Sequence, residues 1–312
     1  MIQRRKRRHT ILFSDPCPCG SGQPVQSCHL DPLDNQLRMP RPPLAPPGSE
    51  TGYAHPKCYL RASNDCSSSI SREHYVSKSV LHQIKYNGDA IRIRGAPWVK
   101  DNEHRDMTID SLTANILCER HNSALSPLDA EAGRFFRILT EILVDLNRKT
   151  LSRKPHFHLI NGDALELWLL KVACGCYHSI GMSEGERVSK VYTINEAKIV
   201  AAFLEGKWES RAGLYVLGAH GDAKGADFGM AITPLTDMAR MAFVGARVKT
   251  NGFEFDLLFD MDGRPSGSWP GWTHRPTELV FERKRREHHL IFSWPIGTPE
   301  ASLTFTEKNP LG

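Results

Sequence analysis

Three groups of residues in this sequence have the types and spacing to do chemistry. Cys17, Cys19, Cys28 and His29 read as C-x-C-x8-C-H, three soft thiolates and one imidazole. That complement closes a tetrahedral structural zinc site. Gly20, Ser21 and Gly22 let the chain turn sharply between the two pairs, and Pro16 and Pro18 stiffen its entry, as suits a metal knuckle without a hydrophobic core. A second set has the same composition: Cys58 and Cys66 upstream, then Cys118 and His121 as C-x2-H leading into a long helix. The seven residues between Cys58 and Cys66 are a wider gap than the usual two to four, and His55 is an alternative member. The third group is Glu73 and His74, lying between these pairs, with Asn122 next to His121. Carboxylate and amide oxygens suit a hard cation such as Mg²⁺, and a neutral imidazole suits a general base at neutral pH.

The elements that must position these residues can be read from periodicity. Between Asp129 and Lys149 the apolar positions Ala132, Phe135, Phe136, Leu139, Ile142, Leu143 and Leu146 recur at helical spacing. A second helix is expected from Asp163 to about Tyr177, with Glu166 and Lys171 interrupting its apolar run, and a third from Asn195 to about Glu205. Short β-branched or aromatic runs then follow: Gly213 to Leu217, Phe228 to Thr233, Ala242 to Val248, Phe253 to Phe259, Glu278 to Phe281 and His289 to Trp294. The fold class expected is α+β: a zinc knuckle, a ββα unit pinned by metal, and a C-terminal domain of helices plus a mostly antiparallel sheet. The expected division is residues 1–37 for the basic tail and knuckle, 38–53 for a proline-rich semi-rigid linker, 54–150 for the metal-pinned domain and 151–312 for an α+β domain.

The segment DPCPCGSGQPVQSCHLDP, residues 15–32, resembles the SEC-C zinc motif, with Gln23, Pro24 and Val25 where that motif usually carries Lys and Tyr. The resemblance implies zinc binding and a possible protein partner through the knuckle. The arrangement of Glu73-His74, the LCxxHN run ending at Asn122 and the cysteine frame around them resembles the HNH, or ββα-metal, endonuclease family over residues 55 to 135. That resemblance implies the roles. Glu73 matches the metal-binding acid, His74 the general base, Asn115 the middle Asn, and Asn122 the metal ligand on the helix. Asn102 competes with Asn115, and residues 87 to 106 read as an insertion between strand and helix. The expected activity is hydrolysis of DNA phosphodiester bonds with Mg²⁺ or another divalent cation, two structural Zn²⁺ ions holding the fold. The alternative is a non-catalytic zinc-binding adaptor for nucleic acid or protein.

Composition is compatible with both. The chain has 312 residues, 40% apolar and 24% charged, which fits a folded globular protein rather than a disordered or fibrous one. A net charge of +5 is a mild bias, but it is concentrated in the runs Arg4 to Arg8 and Arg283 to Arg286, either of which could meet phosphate. No apolar run reaches the roughly 18 residues of a membrane span, and the basic N-terminus lacks a secretory apolar core. An intracellular, cytoplasmic protein with reduced cysteines is expected, with no membrane partner. Other candidates read as structure: Cys174, Cys176 and His178 in an apolar helix as core, and His156, His158, His288 and His289 as surface or groove positions. Asp256, Asp260, Asp262 and Glu278 echo acid-rich nuclease sites but lack a lysine at the usual spacing.

Overall fold

The computed structural model describes residues 11–84, 90–93, 99, 103–148, 154–179, 187–217, 230–250, 253–262, 271–283 and 286–306. The run Arg4 to Arg8, Asn102 and Phe228 lie outside them. The knuckle contains one helical turn, α1 (Val25–Cys28), after a loop in which Gly20 and Gly22 take positive φ of 86° and 77°. Strand β1 (Ile70–His74) leads to helix α2 (Lys78–Ile84) and to a hairpin of β2 (Ala90–Ile93) and β3 (Arg105–Thr108) within the expected insertion. Next comes β4 (Thr113–Cys118), which pairs antiparallel with β1 and runs straight into α3 (Glu119–Leu146).

Helix α3 starts at the C-x2-H pair, as expected, ten residues before the apolar periodicity that begins at Asp129, and passes through Pro127. Proline has no N–H for the carbonyl one turn back, which ordinarily breaks a helix. Here the Ser126 hydroxyl donates to the Ser123 carbonyl at 2.9 Å and satisfies it instead. The helix buries Leu125, Leu128, Phe135, Phe136, Leu139 and Ile142.

Strand β5 (His156–Asn161) precedes α4 (Gly162–Ser179), which is buried along nearly its whole length. Two short helices, α5 (Val188–Val191) and α6 (Glu196–Val200), follow, the latter continuing as one π turn through Glu205. The remaining strands are β6 (Gly213–Leu217), β7 (Met230–Asp237), β8 (Ala242–Thr250), β9 (Phe253–Leu258), β10 (Trp272–His274), β11 (Glu278–Arg283), β12 (Arg286–Ser293) and β13 (Ser302–Thr306). They form two sheets rather than one. One is antiparallel throughout, in the order β10-β6-β9-β8-β7. The other, β13-β11-β12-β5, is mixed: β12 pairs parallel with β5 and β11 parallel with β13. Pairing among these strands is mostly antiparallel, as expected; the parallel pairs are β12 with β5, which enters from before α4, and β11 with β13, a strand the periodicity did not mark.

One continuous core joins Leu44, the β1/β4 region, α3, α4 and both sheets. Burying α4 forces partners onto the two charges in its apolar run, since an unpaired buried charge is very costly. Glu166, fully buried, accepts from Arg275 at both oxygens (2.9 Å each) and from the Leu214 N–H at 2.6 Å. Gly213 makes room for it: with φ of +135°, a Cβ there would lie 2.2 Å from Glu166 Oε1. Arg275→Met strands that carboxylate, and we expect a loss of about 3–5 kcal/mol in urea unfolding. An unchanged midpoint would show that the pair is dispensable.

The proline-rich stretch is strapped to this core. Asn161 Nδ2 donates to the Pro40 carbonyl at 2.8 Å, Arg41 pairs with Asp163 at 3.0 Å, and Leu44 is buried. The knuckle also rests on the body: the Leu159 N–H on edge strand β5 donates to the Pro18 carbonyl at 3.0 Å, and Arg134 of α3 donates to the Cys19 carbonyl at 3.1 Å. Cys17, Val25 and Leu159 form a small core of their own.

Of the second basic run, Lys284 and Arg285 lie outside the described residues, and the two flanking arginines are engaged within the protein. Arg286 is buried against Asp145 of α3, and Arg283 bonds the side chain of Asn147. Arg286, together with His288, holds the Asp145 carboxyl down at about 2. A depressed carboxyl pKa adds stability that is complete above the unfolded value of about 3.9 and lost as pH falls through the folded one. The stability gap between wild type and Asp145→Asn should therefore narrow from about pH 4 down to about 2. A gap independent of pH in urea melts would exclude the pairing.

Candidate functional site

The two Cys/His sets each converge. Cys17, Cys19, Cys28 and His29 form one group, and Cys58, Cys66, Cys118 and His121 another, with the ligand atoms of each group within 4.8 Å of one another. His55 stands outside the second group, its Nδ1 accepting from the Lys57 N–H at 3.2 Å. In the second group His121 Nδ1 lies 3.2, 3.6 and 3.7 Å from the sulfurs of Cys118, Cys58 and Cys66. Its Nε2 meets Ser63 Oγ at 3.3 Å, and that hydroxyl donates to the Leu60 carbonyl, so the imidazole N–H belongs on Nε2 and the Nδ1 lone pair faces the thiols. Burial keeps the imidazole neutral and pushes the Cys58 and Cys66 thiols up. Cys118 goes the other way: burial raises it, but hydrogen bonds from the His121 N–H and Ser67 outweigh that and lower it. Three thiols and an oriented imidazole on one point fit a zinc-like metal ion.

The first group is more open. Burial pushes Cys17 up to about 12 and His29 below its ordinary value. His29 Nδ1 lies 3.2 and 3.4 Å from Cys28 and Cys17, and Ser21 Oγ meets Cys28 Sγ at 3.3 Å. Both groups are geometrically suited to the same kind of ion.

A cavity of about 550 Å³ has a lining drawn from β1, α2 and α3 that includes Glu73, His74, Ser77, Asn122, Ser126 and Asp129, together with Arg72 and Lys78. Strand β1 delivers Glu73 and His74 at its end, opposite Ala114 and Thr113. Asn122, Ser126 and Asp129 occupy one face of α3 at i, i+4 and i+7. Burial and the nearby Lys78 ammonium hold His74 below the ordinary histidine value, while Asp110 pulls the other way. Its Nε2 is buried and has no hydrogen-bond partner among the described residues. Asn115 is not brought in. Between Leu117 and Ala114, β4 carries one more residue than β1 does between Ser71 and Glu73, and Asn115 falls in that irregular stretch, exposed to solvent.

Glu73 faces inward, 6% exposed, and its Oε1 lies 2.7 Å from Lys171 Nζ of α4. The same ammonium lies 2.7 Å from Asp129 Oδ2. Ser77 donates to the other Asp129 oxygen and accepts from Trp168 Nε1 at 2.6 Å. Burial pushes Glu73 up while Lys171 pulls it down. Asp129, Ser77, Trp168 and Lys171 were not among the residues expected here. The helical phase of Asp129 with Asn122, seven residues apart on one helix, was a usable signal.

The other candidates find partners within the protein. Glu209, Asp260 and Asp262 converge on Lys198 Nζ at 2.6–2.8 Å, Asp256 is held bidentate by Arg247 at 2.7 and 2.8 Å, and Glu278 meets His289 at 2.8 Å. Cys174 and Cys176 are buried in α4, and the convergent groups found among the described residues do not include them. His156, His158, His288 and His289 lie on the paired strands β5 and β12. Among the described residues no helix is long and apolar enough to cross a membrane.

Comparison with known proteins finds no matching family model, no similar curated protein and no similar solved structure.

Proposed function

We propose that the chain is a metal-dependent endonuclease of the HNH, or ββα-metal, type acting on DNA, with zinc in both Cys/His groups and a SEC-C-like knuckle at its N-terminus. The observation that carries this reading is the gathering of Glu73, His74 and Asn122 around one cavity, on a β1/β4 pair that runs into α3 beside the second Cys/His group.

The residues present suit a hard divalent cation, since Glu73, Asn122 and Asp129 offer oxygen donors to one cavity. Glu73 and Asn122 would hold it, with Asp129 as a third donor, and bound there it would offset the charge that builds on the phosphoryl oxygens. His74, neutral at pH 7, takes a proton from the attacking water through Nε2, the ring nitrogen that has no partner among the described residues. The water oxygen bonds to phosphorus as the bond to the 3′-oxygen breaks, and the departing 3′-oxygen takes a proton from solvent, leaving a 5′-phosphate and a 3′-hydroxyl. Arg72 and Lys78, also in the cavity lining, are placed to meet flanking phosphates.

One observation favours a second reading, a zinc-pinned adaptor without catalysis: the Glu73 carboxylate is already engaged by Lys171. Nicking of supercoiled plasmid with added Mg²⁺ or Mn²⁺ separates the two. Cleavage by wild type that is lost in folded His74→Ala supports the nuclease. Cleavage by neither, or equally by both, supports the adaptor.

A further inference from the structure

Lys171 is 4% exposed and belongs to α4, in the half of the chain that the metal-pinned unit does not include. It lies behind the cavity wall rather than on it: Glu73 and Asp129 line the cavity, and Lys171 touches both from the protein side. Two carboxylates face one ammonium, so these three groups carry one excess negative charge. Trp168, one turn earlier on α4, supports the same group through Ser77 and Asp129. A lysine recruited only to stabilise the core needs one acid partner, and neither acid needs to reach a cavity. Here both do.

We propose that Lys171 is a positioning residue of the cavity, an internal cation that aims Glu73 and Asp129 and limits how strongly they bind a divalent ion. The inference rests on the nuclease reading and deepens it, because it makes a competent site depend on α4 and gives residues beyond 151 a part in it. The ammonium holds two like charges together that would otherwise repel across the cavity. It also competes with a bound cation for their lone pairs. Removing it has opposite effects on the two properties: the cation binds more tightly because a nearby positive charge is gone, and turnover falls because the carboxylates are no longer aimed.

The test uses the full chain, zinc-loaded at its cysteine sites, with Mn²⁺ binding by titration calorimetry read beside plasmid nicking. Lys171→Met should bind Mn²⁺ at least about tenfold tighter and nick at least about tenfold more slowly, a split that general loosening does not produce. Lys171→Arg keeps the charge and should bind Mn²⁺ as wild type does. If Lys171→Met does not fold, Glu73→Gln/Lys171→Met removes one charge of each sign, and should bind Mn²⁺ about tenfold tighter than Glu73→Gln alone. Wild type that binds Mn²⁺ with an affinity unaffected by these changes overturns the role of Lys171 and leaves the nuclease reading standing. Wild type that binds no Mn²⁺ at all overturns both.

Discussion

Cys118→Ser is expected to release the metal of the second Cys/His group and with it the fold around α3. All four donors, Cys58, Cys66, Cys118 and His121, are at most 1% exposed, so their loss cannot be absorbed by solvent. Cys118 is also the N-cap of α3, its sulfur accepting from the His121 N–H at 3.5 Å, and it ends the strand that delivers Glu73 and His74 through pairing. In small zinc domains the ion supplies roughly 10–16 kcal/mol of apparent folding free energy, more than the 5–15 kcal/mol net stability of an ordinary protein. The expected result is one metal ion per chain instead of two by elemental analysis, and no cooperative melt by circular dichroism at the wild-type temperature. Cys19→Ser should also lose one ion but keep a cooperative melt at a lower temperature, because the knuckle is half-exposed and rests on β5 rather than inside the main core. Two variants with equal melts, or wild-type metal content in either, would contradict this division.

His74→Ala is expected to lower nicking by about 10² to 10⁴ while the melt stays close to wild type. The size follows from the role. A positioned general base contributes that range, and the His74 Nε2 makes no hydrogen bond whose loss would destabilise the fold. Asn122→Ala should raise the Mn²⁺ concentration needed for half-maximal nicking, since it removes an oxygen donor and leaves the base in place. Lys78→Ala, a change in the cavity lining beside Asp110, should weaken DNA binding uniformly across sequences and flatten its salt dependence. Nicking by His74→Ala within about threefold of wild type would remove His74 from the proton transfer.

Much of the site was legible because its chemistry is carried by residue type. Thiolates and imidazoles at short spacing have few other uses in a chain with reduced cysteines, and both sets converge as the spacing suggests. The Glu73-His74 pair and Asn122 likewise meet around one cavity. Other parts were hidden for definite reasons. The apolar periodicity marked α3 only from Asp129, because the turns before it, which the C-x2-H pair already set at the helix entry, carry few apolar residues. Asn115 was placed by its distance from Cys118 along the strand, and one irregular step in the β1/β4 register leaves it outside the group.

What the sequence by itself determined are the features that depend on neighbours along the chain: the ligand sets, the apolar periodicity of α3 and the buried character of α4. Hydrophobic burial has no direction, so an apolar run can announce a buried helix without saying what packs on it. Only the tertiary structure decided which charges pair across it. Glu166 and Lys171 look alike as interruptions of one apolar run, yet one is tied to Arg275 in the sheet and the other to Glu73 and Asp129 at the cavity. The same holds for β5, whose parallel pairing with β12 depends on a crossover rather than on its residues. Ion pairs and strand neighbours are chosen by proximity in the folded chain, and that proximity is created by packing between distant segments.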